Sequence, residues 1–122
     1  MSSRPDTLLV DCQLAGISGD MIIGALLGAG AGKAGVVDAM RSVSRQIPWC
    51  RSLDVATTIV DRGGFSAHRV EVSVNDEPGH RTGPQLVEVV RASAKEAGLG
   101  EAAARMATGA AKVIVEAEAK MH

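Results

Sequence analysis

The pattern of apolar and polar residues along the chain predicts three strands. Residues 7–10 form a short, almost continuously apolar run, which is typical of a buried strand. Residues 53–60 and 70–74 each alternate apolar with polar positions, and the turn residues 62–64 lie between them, so a β-hairpin is predicted. The polar segment 75–83 after the hairpin is the clearest loop.

Four further segments have the periodicity of helices. The first begins after Ser18, which is expected to cap it, and it is apolar nearly all round, so a buried helix is predicted. Gly24 and Gly28 lie four residues apart on one face of this helix and should let another backbone come close. The other three helices are predicted at residues 33–46, from Pro84 to a stop at Gly98, and from about Glu101 to the end of the sequence.

The predicted order of elements, β-α-α-β-β-α-α, indicates an α+β fold in which about four helices pack on a small mixed three-stranded sheet. We expect residues 1–122 to form one domain. The last helix contains no stop signal, because residues 116–122 continue in helical register without a terminal Gly, Asn or Pro. The chain therefore either ends in mid-helix or continues into a further segment.

Composition restricts the class of protein. Hydrophobic residues make up 46% of the chain and aromatic residues only 2%, so the core must consist of Ala, Val, Leu, Ile and Met. The net charge is −1 and no basic stripe is present, which argues against nucleic acid as a partner. Residues 21–32, the longest mostly apolar run, are fewer than the ~20 that span a bilayer. Cys12 and Cys50 lack the spacing of a zinc site, and no signal peptide is evident, so we expect a cytoplasmic protein with free thiols and no membrane partner.

The sequence DCQLAGISGDM, residues 11–21, combines two glycines, a serine and two acids where the first predicted strand leads into the first helix. Gly16 and Gly19 would let the main chain approach an anion, and the first N–H groups of a helix are unpaired. Asp11 and Asp20 would repel that anion unless a cation lay between, so a metal or a metal-bound nucleotide is favoured. Alternatively, Ser18 only caps the helix and the acid only complements its dipole, since neither common nucleotide-binding fingerprint is present.

Three segments carry a family resemblance. DCQLAGISGDMIIGALL closely resembles the opening of the LarC family, the nickel-inserting proteins of nickel-pincer cofactor biosynthesis. VDRGGFSAHRVEV is similar to the second and third strands of that family, and VEAEAKMH is similar to the end of its Ala-Glu-Ala-Lys-x-His helix. The resemblance spans nearly all of the chain, and the Gly-Ile-Ser-Gly-Asp-Met block is its specific part.

The resemblance implies a concrete activity. Family members insert Ni(II) into pyridinium-3,5-bisthiocarboxylate mononucleotide and form a carbon–nickel bond while CTP is consumed, so a CTP-dependent nickel chelatase or cyclometallase of the lyase class is expected. Nickel, CTP and Mg²⁺ are the implied cofactors, and the cofactor precursor is the implied partner. The motif match implies catalytic roles for Asp11, Ser18 and Asp20, contacts to the cofactor by Gly16 and Gly19, and metal binding by Cys12, His80 and His122.

Several differences from the family pattern leave alternatives open. His80 stands alone where relatives can carry a run of histidines, and one imidazole is a poor nickel site. The family's later histidine-rich segment and its nucleotide-binding C-terminal domain do not follow His122. The chain thus resembles the opening portion of a longer relative that forms a homo-oligomer or joins a separately encoded C-terminal domain. In the alternative, it is a non-catalytic interaction or assembly module whose interface is the apolar stripe from Met106 to Met121.

Individual residues also have simpler explanations. His68 shares strand parity with Val70 and is expected to be a buried or half-buried structural residue. His80 is either a metal ligand or an idle solvated histidine, and Cys12 is either a soft ligand or a small core residue.

Overall fold

The computed structural model describes residues 7–122, and its elements follow the predicted order from the first helix onward. Helices α1 and α2 come first, and a short 3₁₀ turn, Ser44–Gln46, follows α2. A β-hairpin and then α3 and α4 complete the chain. The bounds are α1 Gly19–Gly28, α2 Lys33–Val43, β1 Cys50–Arg62, β2 Phe65–Asp76, α3 Gly83–Glu96 and α4 Glu101–Met121.

Within the described residues, β1 and β2 form a two-stranded sheet. The residues of the turn between them explain why this hairpin forms. Gly63 and Gly64 both have positive φ, +62° and +84°, as a two-residue hairpin turn requires, and the Gly64 N–H donates to Asp61 Oδ1 at 3.0 Å. The strands are antiparallel, and Val55 is paired with Val72 and Thr57 with Val70. The predicted hairpin is therefore confirmed, with strands longer than the alternating pattern indicated.

The predicted three-stranded mixed sheet is wrong. The sheet in residues 7–122 has two strands, both antiparallel, and residues 7–10 belong to no strand. A strand needs a neighbour to pair with its main-chain N–H and C=O groups, and apolar character alone does not supply one. Residues 8–10 instead lie beside α1, where Leu9 is 90% exposed.

Close approach of two backbones joins α1 to the hairpin. A Cβ atom added at Gly24 would collide with the main-chain carbonyl of His68 on β2, and one at Gly28 would lie 3.4 Å from the His68 imidazole. The expectation that these glycines admit another backbone is thus confirmed, most clearly at Gly24. His68 is half-buried at this contact, as its strand parity predicted.

The core is small and lies between α1, α2 and one face of the hairpin. Its buried members in the described residues are Leu27, Val37, Val55 and Val70, and Ile23, Val36, Met40 and Leu53 pack against them. Helices α3 and α4 pack on each other, and in this pair Ala94 of α3 is buried. The residues of α4 that become half-buried are mostly small, namely Ala104, Ala107, Thr108, Ala111 and Val115.

Two apolar surfaces remain uncovered. The prediction that α1 is buried all round is wrong, because only Gly24 and Leu27 are buried while Ile22 and Leu26 are exposed. The apolar stripe of α4 is exposed too, with Met106, Val113 and Met121 in contact with solvent. No helix within residues 7–122 is both long enough and apolar enough to cross a membrane.

Candidate functional site

The turn of residues 11–18 is held by its own hydrogen bonds. The carboxylate of Asp11 accepts a hydrogen bond from the Gln13 N–H at 3.0 Å, and the Gly16 N–H donates to the Cys12 carbonyl at 2.9 Å. Gly16 has a φ of +69°, a left-handed conformation that explains the glycine at this position. Cys12 is exposed, which excludes the alternative that it is a small core residue, and its thiol is free.

Ser18 stands at the N-cap position of α1, but its side chain does not cap the helix. The Ser18 carbonyl accepts from the Ile22 N–H at 3.0 Å, whereas the Ser18 hydroxyl donates to the carboxylate of Asp20. The hydroxyl of Ser18, and secondarily the main-chain N–H of Met21, lower the pKa of Asp20 below its ordinary value of 3.8. The expected side-chain cap is therefore wrong, and Ser18 and Asp20 form a hydrogen-bonded pair instead.

The two acids of residues 11–20 disfavour a bare anion at the start of α1. Asp20 already places a carboxylate at the positive end of α1, and Asp11 adds a second acid to the same exposed turn. Gly19 has open space where a side chain would lie, so the main chain there is accessible. Asp20 and Met21 line an open cleft of about 640 Å³ together with Arg62, His68 and Arg69, so basic side chains of the hairpin lie beside the start of α1.

A second candidate site joins His80 and His122. Both histidines line one cleft of about 620 Å³ between the start of α3 and the end of α4. The other residues that line it are Arg81, Thr82, Gly83, Leu86, Ile114, Val115, Glu118 and Ala119. The two predicted metal ligands, which are far apart in the sequence, therefore share one site in the fold.

Several contacts fix the walls of this cleft, which we call the histidine cleft. At the start of α3, Thr82 Oγ1 accepts from the Gln85 N–H at 3.3 Å while Gln85 Oε1 accepts from the Thr82 N–H at 2.8 Å, so a capping box holds the loop that carries His80. The guanidinium of Arg81 stacks on Trp49 at 4.5 Å from the ring centroid and donates to the Glu77 carbonyl at 2.7 Å. Gly83 contacts Val115 closely, which brings α4 against α3.

The donor atoms of the histidine cleft are few. His122 Nε2 lies 3.7 Å from Glu118 Oε2, one helical turn earlier on α4. Among the described residues, no group of three or more His, Cys, Asp and Glu side chains is close enough to hold a metal ion. Sequence reasoning missed Glu118 as a lining residue, although its position four residues before His122 was a usable signal.

The two candidate sites are separate. Asp11 and Gly16 line a smaller cleft of about 230 Å³ formed with residues 8–10 and α1, and this cleft shares no residue with the histidine cleft. Cys12 lines neither of them. The structure therefore brings His80 and His122 together and keeps Cys12 apart from both.

Comparison with known proteins gives one consistent result. The family model described as nickel insertion protein matches residues 8–122. A putative nickel insertion protein of Methanococcoides burtonii is 31% identical over 116 residues, 93% of this chain and 26% of that protein. One of Archaeoglobus fulgidus is 31% identical over 107 residues, 88% of this chain and 24% of that protein.

A third relative has a more specific name. The pyridinium-3,5-bisthiocarboxylic acid mononucleotide nickel insertion protein of a Nocardioides species is 40% identical over 76 residues, 62% of this chain and 18% of that protein. No solved structure matches the chain. The chain spans about a quarter of the length of the first two relatives. Because the family model matches nearly all of its residues, the chain belongs to the nickel insertion protein family.

Proposed function

We propose that this chain takes part in inserting nickel into pyridinium-3,5-bisthiocarboxylic acid mononucleotide, as a portion of a nickel insertion protein. The observation that carries the proposal is that His80 and His122, predicted separately as metal ligands, line one cleft in a chain that belongs to this family. The Nocardioides relative is named for this substrate. In this proposal nickel is the cargo that the protein delivers.

The histidine cleft suits transient nickel binding. Imidazole and carboxylate groups both ligate Ni(II), and His80, Glu118 and His122 supply these groups around the cleft. Because no three such side chains within residues 7–122 are close enough to hold a metal ion together, the cleft would hold nickel only weakly. A metal that is held by few ligands can pass to the sulfur atoms of the precursor, because few bonds to the protein have to be broken.

The turn at residues 11–20 would handle the other reactant. We assign Asp11 and Asp20 to a cation that neutralises the phosphate of the precursor, and Gly16 and Gly19 to the close approach of the main chain. Ser18 would then position Asp20 through the hydrogen bond between them. We assign CTP and Mg²⁺ to no residue of this chain. Free thiols at Cys12 and Cys50 are consistent with the reducing cytoplasm that we propose as its location.

Calorimetric titration with Ni(II) tests the proposal. The wild-type chain should bind nickel, and His80→Ala or His122→Ala should weaken the affinity at least about tenfold, the effect that loss of even a supporting partner has on metal sites. His68→Gln is the matched control, because His68 lies against α1 and outside the cleft, and its affinity should equal that of wild type. Wild-type protein that binds no nickel, or variants that all bind alike, would contradict the assignment of the cleft.

A further inference from the structure

The outer side of α1 is apolar without being packed. The helix continues from Asp20 to its end at Gly28 without another charged residue. Its inner side, with Gly24 and Leu27, is buried against the hairpin, whereas Ile22 and Leu26 on the opposite side are exposed. A helix that is apolar all round is normally buried on every side. This sequence is therefore that of a helix between two layers, and residues 7–122 supply one of them.

Residues 8–10 extend this surface. They lie against Met21, Ile22 and Leu26 and line the same cleft of about 230 Å³, yet Leu8 and Leu9 are 60% and 90% exposed. Their main chain pairs with no strand among the described residues. We name these six residues the α1 outer face: Leu8, Leu9, Val10, Met21, Ile22 and Leu26.

The total exposed area is larger than that of a compact monomer of the same mass. The accessible surface is 9395 Å², whereas a compact monomer of this mass exposes about 6,200 Å². An allowance of about 1,000 Å² for residues 1–6, the most that six residues can expose, still leaves an excess of about 2,000 Å². Permanent interfaces bury about 1,000–2,500 Å² on each partner. The excess belongs to the whole surface, and both the α1 outer face and the exposed stripe of α4 contribute to it.

The relatives contain enough additional sequence to cover this face. The chain matches 26% of the Methanococcoides burtonii protein and 24% of the Archaeoglobus fulgidus protein, so each relative carries about three times as much sequence outside the matched segment. In these relatives the additional sequence belongs to the same polypeptide as the matched segment. It is large enough to supply a complete second layer.

We propose that the α1 outer face is the docking surface for the part of a nickel insertion protein that lies outside the matched segment. That part contributes an apolar layer over Ile22 and Leu26 and a β-strand that pairs with the main chain of residues 8–10. Asp11 lines the same cleft and lies at the edge of this face. The proposal rests on membership of the family and needs no nickel binding, so its failure and that of the nickel assignment are distinguishable.

Hydrogen–deuterium exchange tests the proposal. The chain is compared by itself and as a chimaera in which it replaces the matched quarter of the Archaeoglobus fulgidus relative. The amides of residues 8–10 should exchange freely in the chain alone and at least about tenfold more slowly in the chimaera, because strand pairing protects them. The hairpin turn at residues 62–65 serves as an internal reference and should exchange rapidly in both.

Charge substitutions locate the interface. Leu26→Glu should leave the isolated chain folded, since Leu26 is exposed, and should remove the protection of residues 8–10 in the chimaera. Val113→Glu, the matched control on the exposed side of α4, should leave that protection unchanged. Equal exchange of residues 8–10 in chain and chimaera would overturn the proposal, as would a chimaera that fails to fold. A dimer of the isolated chain that Leu26→Glu converts to monomers would also overturn it, because a second copy would then be the occupant.

Discussion

At the scale of single residues, the pair of Ser18 and Asp20 shows how a local hydrogen bond changes the chemistry of the turn. A serine at an N-cap position usually accepts from a helix N–H, and the sequence predicted that role. Here its hydroxyl donates to a carboxylate two residues later, and this bond favours the ionised acid. The turn therefore keeps a negative charge to lower pH than an ordinary aspartate would.

This pair gives a prediction about pKa. In Ser18→Ala the pKa of Asp20 should rise toward the ordinary value of 3.8, because the largest cause of its lowering is the Ser18 hydroxyl. NMR titration of the side-chain carboxyl carbons measures the change. Glu88 on α3 is the control, since its pKa is lowered by Arg91 of the same helix, away from Ser18, and should not move.

The sign of the associated pH dependence follows from the same shift. Because the pKa of Asp20 is lower in the folded chain, its contribution to stability is present above the ordinary value of 3.8 and is lost as the pH falls through the folded value. Ser18→Ala should reduce that acid dependence. An Asp20 pKa that is unchanged in Ser18→Ala would show that the hydrogen bond does not hold the charge.

At the scale of elements, the contact of α1 with β2 depends on the absence of a side chain. Gly24 is the position at which the helix and the strand meet backbone to backbone. The four-residue spacing of Gly24 and Gly28 made this contact predictable, because glycine inside a helix is unfavourable unless packing requires it. The sequence could not indicate which strand would be contacted.

We expect Gly24→Ala to destabilise the chain by about 1–3 kcal/mol, because the new methyl group collides with the main chain of His68, which cannot move as a flexible side chain can. Gly109→Ala in the interior of α4 is the matched control. It has open space and should stabilise the chain by about 0.5–1 kcal/mol. Urea unfolding of the three proteins measures both effects. The same sign for both variants would show that the close approach is not what fixes α1.

At the scale of the whole molecule, stability depends on few side chains. The core cluster joins α1, α2 and the hairpin through four buried residues, and no large side chain of the described residues is fully buried. The ion pairs that connect more distant parts, such as Arg45 with Glu96 at 3.3 Å, are exposed, and such pairs contribute little. Apolar burial at the cluster is therefore the main support of the fold.

Adjacent leucines on α1 test this distribution. Leu27 is 7% exposed and Leu26 is 37% exposed. Leu27→Ala should lower the free energy of unfolding by about 2–3 kcal/mol, the lower part of the range for buried leucines, because the site is not fully enclosed. Leu26→Ala in the isolated chain should cost less than about 1 kcal/mol. Thermal and urea unfolding measure the free energy of unfolding of both variants. Equal losses in the two variants would refute the assignment of inner and outer sides to α1.

The sequence by itself determined the local elements and the family. The helices and the hairpin follow from the spacing of apolar residues and from Gly63 and Gly64, whose left-handed backbone closes the hairpin turn. These features depend on residues close together in the chain, so they can be read without the fold. The Gly-Ile-Ser-Gly-Asp-Met block likewise indicated the family that the comparison confirmed.

Tertiary structure decided which surfaces meet. Residues 7–10 have the composition of a strand but no strand to pair with, and α1 has an apolar outer side without a layer over it, because pairing and burial require a second segment in the right place. His80 and His122 share a cleft because α3 and α4 pack so that the start of one lies beside the end of the other. Spacing in the sequence carries no information on such a meeting, since only the packing of the two helices sets it.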